Sequence, residues 1–423
     1  MKSGKISSVI LWSVISAAFV GPGTITTAFT AGAQFQIELL WAVVFSALAC
    51  IVLQEVSARI TIATGFSLGQ NLSHKYGAQK GTRIQWLVAL PVLLGCAAYE
   101  AGNILGAVSG LNLLFVGDAR LYTLGITGVA GFVLWQGGSR TISIIMTVLV
   151  GLMGISFLFL AIQAEFSVQQ VIRSVLVPVI PDGSEWIVLA LIGTTIVPYN
   201  IFIGSAISKG STVPLMRLGL SISVMIGGLI TAWIMVAGSV TGEFTSFQEL
   251  SIKLSNSMGL AGSWALGIGL FAAGFSSAIT APYAASLIAS TILVSSNKKV
   301  IRSVWISVLL IGFGFGISGV KPIPVILAVQ ALNGFVLPVL TYFLILLIHD
   351  RQFIPSAYRH SIGYDLILLV ILGTTLLLGL NQVDKAISSG FAVPTHFTWV
   401  LTVSIGLVMV AGWQLHNQKM RHV

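Results

Sequence analysis

Apolar runs of about 20 residues recur along nearly the whole chain and are divided by short polar connections. A run of that length matches the hydrocarbon thickness of a bilayer when it is helical. We count twelve runs, at roughly 8–33, 38–61, 83–115, 119–136, 141–163, 185–208, 216–240, 260–294, 301–318, 322–348, 362–380 and 395–415. The third and eighth are long enough to tilt or to extend past the bilayer. Residues 63–77 are less apolar and are expected at the membrane interface. The pattern predicts an all-α polytopic membrane protein with one transporter domain over residues 1–423.

Two runs are interrupted where a helix should be most regular. Gly21-Pro22-Gly23-Thr24 lies deep in the first run, and Gly193-Thr194-Thr195-Ile196-Val197-Pro198-Tyr199-Asn200 lies deep in the sixth. Pro22 and Pro198 have no N–H to donate and clash with the preceding turn. A simple kink would account for either one alone. Runs one and six, however, open two sets of five, and an odd number makes the second set traverse the membrane in the opposite sense. Breaks at matching positions of an inverted repeat point to a secondary transporter with a site near the bilayer midplane. The repeats would span about 8–163 and 185–348, with two extra helices over about 362–415.

Composition and charge agree with this reading. Hydrophobic residues make up 56% of the 423 and charged residues 8%, against about 25% charged in soluble domains. The formal net charge is +9, which in a soluble chain would suggest a nucleic-acid partner. Here the charges follow topology. With the N-terminus inside, the outer segments hold Arg120, Arg173, Lys253, Lys321 and Lys385, and the other 16 of the 21 basic residues fall inside. Both termini are therefore expected in the cytoplasm, in a bacterial inner membrane, with lipid rather than nucleic acid as the neighbour. Cys50 and Cys96 fall within apolar runs and read as buried thiols. The first run is too long for a cleaved signal. No catalytic triad or phosphate loop occurs, so no enzyme is expected.

Several stretches resemble the Nramp family of proton-coupled divalent-metal transporters. Gly21-Pro22-Gly23-Thr24 is similar to the family's D-P-G-N, and Gly193–Asn200 to its G-A-T-x-M-P-H-N. Leu53-Gln54-Glu55-Val56-Ser57-Ala58-Arg59 with Thr64-Gly65 resembles L-Q-x-x-A-x-R…T-G. Ala273-Gly274-Phe275-Ser276-Ser277 resembles A-G-Q-S-S, and Gln330 falls where the tenth helix has Gln. The resemblance implies a LeuT-type fold of 5+5 inverted repeats plus two helices, twelve in all, with helices one and six broken. The departures concern the ligands. Gly21 stands for the metal-binding Asp, Thr24 for the Asn and Val197 for the Met. Tyr199 and Gly204 stand for two His, and Glu100 and Asn103 occupy the D-x-x-E proton-path positions.

A mid-membrane dication needs oxygen, nitrogen or sulfur ligands and usually negative charge. No His or Met lies near either break, so no resident metal or other cofactor is expected. Half-helix N-termini at Thr24 and near Tyr199 would instead point N–H groups into the cavity, and Thr24, Thr194, Thr195 and Tyr199 would add hydroxyl donors. The expected substrate is a small anionic or polar solute, such as bicarbonate or a small carboxylate, bound by Gly21, Gly23, Thr24, Thr194, Thr195, Val197, Tyr199, Gln330 and Asn333. Symport would use Glu100 and Asn103 for H+, or Ser276 and Ser277 for Na+. Two alternatives stay open: transport of a divalent cation such as Mg2+ or Mn2+, and a non-transporting sensor of the same fold. Homo-oligomerisation is compatible with all three. Glu55 sits four residues before Arg59 and predicts an intrahelical ion pair.

Overall fold

The computed structural model describes residues 2–292, 298–351, 353–391 and 397–420; within these, the side chains of 2–4, 78–79, 331–333, 335, 385–391, 397 and 416–420 are not described. Seventeen α-helices follow in order: α1 (Lys2–Phe19), α2 (Pro22–Phe35), α3 (Leu40–Thr64), α4 (Leu68–Tyr76), α5 (Ala78–Leu114), α6 (Ala119–Gln136), α7 (Ser139–Ala161), α8 (Val168–Leu176), α9 (Glu185–Thr195), α10 (Pro198–Ser208), α11 (Val213–Gly238), α12 (Phe247–Met258), α13 (Leu260–Ile292), α14 (Lys298–Ile317), α15 (Pro322–Ile348), α16 (Ile362–Phe391) and α17 (Phe397–Met420). No strand occurs among the described residues. The chain is an all-helical, multi-span membrane protein.

Every expected run contains helix. Among the described residues, nine segments are long and apolar enough to cross a bilayer, and the bent pair α1–α2 makes ten. Two of the twelve expected spans fall short of that standard. α6 has only 18 residues and carries Arg120 in its first turn. In α15 the apolar stretch clear of undescribed side chains is Val336–Ile348.

The two interruptions differ. α1 stops at Phe19 and α2 restarts at Pro22, with a bend of 63° between them. In the sixth run only Ile196 and Val197 leave the helix, and residues 185–208 still form one span. Both restarts place proline in the first turn, where its missing N–H costs nothing.

Small residues bring the central helices together. A Cβ on Gly274 of α13 would lie 2.7 Å from Ala107 Cα of α5, and one on Gly110 would lie 2.7 Å from Phe271 Cα. A Cβ on Gly106 would meet the Pro22 ring. α5 and α13 thus pack backbone to backbone, as small residues permit in membranes, and the break between α1 and α2 rests on them. Short helices lie outside the spans. α4 occupies the expected interfacial stretch, and Ser67 and Gln70 form its capping box. α8 and α12, with capping residues Ser167 and Ser246, were not anticipated, because each is too short and too polar to read as a span.

At the basic-rich end, Glu55 joins more partners than the single expected pair. Its Oε1 accepts hydrogen bonds from Arg59 and from Arg217 Nε at 2.9 Å. Its Oε2 accepts from Tyr364 Oη at 3.1 Å and lies 3.3 Å from His360 Nε2. This cluster ties α3 and α11 to the connection leading into α16. His349 and Asp365 pair at 2.6 Å beside it. Cys50 and Cys96 are free and buried.

Two outcomes follow from this packing. Gly274→Val forces a side chain into the α5 backbone and is expected to lower unfolding stability in detergent by about 1–3 kcal/mol. Gly128→Ala meets open space and is expected to stabilise by up to about 1 kcal/mol, because Ala is the better helix former. Thermal unfolding of both variants checks the contrast in sign.

Burial pushes the His360 imidazole below its ordinary value, against the opposing hydrogen bond that it donates to Glu55. The unfolded chain therefore binds more protons as pH falls through the ordinary histidine range. The stability contributed by neutral His360 is full above the ordinary histidine value of about 6.5 and is lost progressively as pH falls below it. Unfolding temperatures measured across that window should fall, and the slope should be shallower in His360→Gln. Equal slopes would remove His360 from the account.

Candidate functional site

The two breaks face one another across a small cavity of ≈ 20 Å³. Such a space holds about one water or one desolvated monatomic ion. α1 and α2 border it with Ala18, Phe19, Gly21, Gly23 and Thr24, and α9 and α10 with Thr194, Val197 and Tyr199. α5 adds Tyr99 and Asn103, α13 adds Ser277, and α15 adds Gln330.

Most of the residues expected at the site therefore do converge there. Five do not line the cavity, the first being Pro22, whose ring packs against Gly106 of α5. Thr195 turns into its own helix, donates to Leu191 O at 3.1 Å and accepts from Ser46. Ser276 donates to Ala17 O at 3.1 Å, one layer behind Ser277. Glu100 is fully buried behind Asn103, whose Nδ2 donates to Glu100 Oε2 at 3.4 Å. Pro198 faces a neighbouring void with Tyr99 and Tyr199. The Asn333 side chain lies outside the described residues. Tyr99 is a lining residue that sequence reasoning missed. Its ring meets Tyr199 edge to face at 5.7 Å between centroids. The only signal was its position next to Glu100 on an otherwise apolar helix.

The hydroxyls do not act as the expected donors. Ending α1 at Phe19 leaves its last carbonyls without helical N–H partners, and hydroxyls take that place. Ser276 and Ser277 donate to Ala17 O, Tyr199 Oη donates to Ala18 O at 3.0 Å, and Thr24 donates to Phe19 O. On α9, Thr194 donates to Leu191 O at 3.0 Å. A hydroxyl that has given up its proton still offers lone pairs. Thr24, Thr194, Tyr199 and Ser277 thus border the cavity as oxygen acceptors.

The neighbourhood of Gly21 has the same character. A Cβ there would lie 3.0 Å from Ser277 Oγ and 3.9 Å from Asn103 Oδ1. Two neutral oxygens therefore flank the place where a side chain from Gly21 would begin. Gln330 lies over Gly23, where a Cβ would come within 3.1 Å of Cδ. Its Oε1 accepts from Thr27 at 3.2 Å, and its Nε2 has no hydrogen-bond partner among the described residues. Oxygen and nitrogen of an amide exchange by a flip, so Gln330 can turn either atom to the cavity. At the heads of α2 and α10, the N–H groups of Gly23, Thr24 and Tyr199 have no acceptor within their helices. No cluster of three or more His, Cys, Asp or Glu able to hold a metal occurs among the described residues.

Gly23→Ala is expected to displace Gln330 and to lower transport, while Gly23→Ala with Gln330→Ala restores the space. Uptake by the double variant above that of Gly23→Ala alone would bear out the steric account. Equal loss would place the defect in the α2 backbone or in the missing Gln330 amide rather than in the steric clash.

Comparison with known proteins places this arrangement. The family model described as "Natural resistance-associated macrophage protein-like" matches residues 13–383. The chain is 27% identical over 300 residues to a protein of Oryza sativa subsp. japonica named "Metal transporter Nramp3", covering 64% of this chain and 54% of that one. The match thus spans about half the rice protein's length. It is 23% identical over 366 residues to the "Divalent metal cation transporter MntH" of Caldanaerobacter subterraneus subsp. tengcongensis, covering 81% and 85%. A solved structure of the Eremococcus coleocola manganese transporter superposes with a TM-score of 0.79 over 98% of this chain and 94% of that chain, at 19% identity. That likeness shows the fold.

Proposed function

The chain belongs to the Nramp family of membrane transporters, and on that premise we propose that its cargo is a hard divalent cation of the Mg2+ or Mn2+ kind, bound through neutral oxygens. The observation that carries this reading is the ring of spent hydroxyls. Thr24, Tyr199 and Ser277 commit their protons to the α1 carbonyls and keep lone pairs for the cavity. Asn103 and Gln330 supply amide oxygens. Oxygen donors suit hard cations, whereas a thioether selects softer ones, and Val197 offers none. The cavity volume agrees, since a carboxylate would require the helices to part. The named relatives are transporters of metal or divalent metal cations. Without fixed charge at the cavity such a site holds a dication weakly, so affinity should be low.

The architecture behind this reading is two inverted repeats of five spans over about 8–163 and 185–348, with two further helices, in one domain. On this reading the breaks at Pro22 and Pro198 fall at equivalent positions; the basic surplus supports cytoplasmic termini, and the membrane would be a bacterial inner membrane. Coupling falls to Glu100. It is the buried carboxylate next to the cavity, Asn103 separates it from the cargo, and its Oε1 has no partner among the described residues. An intramembrane carboxylate in that position is a natural proton carrier. Ser276 and Ser277 already satisfy Ala17 O, so a sodium ion there would have to displace two hydrogen bonds.

A small-anion cargo is the second reading. The N–H groups of Gly23, Thr24 and Tyr199 at the two half-helix heads support it.

Uptake into liposomes separates the two. The purified protein is expected to accumulate Mg2+ or Mn2+ under an inward proton gradient. Ser277→Ala and Asn103→Leu should each lower that uptake by about tenfold or more, the scale set by loss of a supporting group at a metal site. Glu100→Gln should abolish the response to the proton gradient. Uptake of labelled bicarbonate or acetate without cation uptake would transfer the assignment to the anion. No uptake of either would favour a non-transporting sensor.

A further inference from the structure

The seam between α1 and α7 stays open on the bilayer side. Near the basic-rich end it widens into a cleft of ≈ 700 Å³ bordered by Ile6, Ser7, Ile10, Ser139, Arg140 and Ser143. Deeper in the membrane it continues as a groove of ≈ 430 Å³ between α1, α7 and α11, bordered by Ile10, Val150, Gly151, Leu158, Ile230 and Trp233. Ile10 lines both. On α7, Arg140, Ser143, Thr147, Gly151, Ile155 and Leu158 recur at three- and four-residue intervals, which is one helix face. Cleft and groove are therefore one continuous channel along that face.

The channel changes chemistry along its length. Its mouth holds the Arg140 guanidinium and three serines. Arg140 is exposed, and no ion pair or hydrogen bond of its side chain occurs among the described residues. The deeper groove contains Ser13, Ser16, Thr147 and Ser223, but each spends its proton within the protein. Ser13 donates to Ser143 O at 3.1 Å, Ser16 donates to Ser223 O, Ser223 donates to Val9 O at 3.4 Å, and Thr147 donates to Ser143 O at 2.8 Å. What the groove offers an occupant is hydrocarbon. Gly151 widens it, because a Cβ there would meet nothing within 4 Å.

We propose that this channel binds one anionic glycerophospholipid of the adjoining leaflet, with its phosphate at Arg140 and one acyl chain laid between α1, α7 and α11. A cationic mouth at headgroup level attracts acidic lipid, and the apolar groove below takes the chain. A zwitterionic lipid fits the groove but gains less at the mouth. The occupant would press on α1, the half-helix whose final carbonyls border the central cavity. Lipid composition would thereby bias the position of α1.

Trp233 on the groove wall gives the readout. The full-length protein in neutral detergent micelles is titrated with phosphatidylglycerol or phosphatidylcholine carrying bromine at mid-chain, and Trp233 emission is isolated by difference from Trp233→Phe. The anionic lipid is expected to quench Trp233 at lower concentration than the zwitterionic one. Arg140→Gln should raise the half-saturating concentration of the anionic lipid about fivefold and leave the other unchanged. Gly151→Phe should fill the groove and remove Trp233 quenching by both lipids, with quenching of the remaining tryptophans retained as evidence of an intact fold. Equal half-saturation by the two lipids in the wild type would mean ordinary annular lipid and would overturn the proposal. So would undiminished Trp233 quenching in Gly151→Phe.

Discussion

The structure depends on one constraint: a helix that stops inside a bilayer must find partners for the carbonyls it leaves behind. α1 stops at Phe19 among buried side chains, away from bulk solvent. The protein answers with side-chain hydroxyls drawn from three other elements. Ser276 and Ser277 reach in from α13, Tyr199 from α10 and Thr24 from α2. The same four bonds therefore hold the break open and hold α1, α2, α10 and α13 together around it. A kink of Pro22 alone would need none of them.

That solution also sets the chemistry of the cavity. Each hydroxyl committed to α1 is withdrawn from the supply of donors and added to the supply of acceptors. The cavity is neutral, oxygen-lined and about the size of one ion or one water. The Glu100 carboxyl group lies behind it, with Asn103 between. Gly110 and Gly274 let α5 and α13 approach closely, and Gly106 lets α5 approach Pro22 of α2, since any side chain there would hold Asn103 and Ser277 further from the break.

Away from the centre the helices are restrained very unevenly. Around Glu55 a carboxylate, two guanidinium groups, an imidazole and a phenol lock α3, α11 and the connection to α16 at the basic-rich end. The α1–α7 seam has no comparable ionic lock among the described residues; its hydrogen bonds are those of the hydroxyls of Ser13 and Thr147.

The sequence by itself determined the solvent, the helical class and the places where helices fail. Apolar runs of bilayer length leave helix as the available structure, and Pro22 and Pro198 mark the interruptions because proline cannot complete a helix from within. It also determined most of the lining: Gly21, Gly23, Thr24, Asn103, Thr194, Val197, Tyr199, Ser277 and Gln330 were legible from the breaks and from the family resemblance. Tertiary structure alone decided where each proton points. Hydroxyls read as donors became acceptors because carbonyls of a different helix lay within reach. Thr195 left the cavity because Leu191 O and Ser46 were nearer. Tyr99 entered it because the α5–α13 contact sets the rotation of α5. The Glu55 pair grew into a cluster because residues 162 and 305 positions away arrived beside it. Hydrophobic pattern encodes which residues lie in a span, but a hydrogen bond between spans depends on distances that only the packed bundle defines.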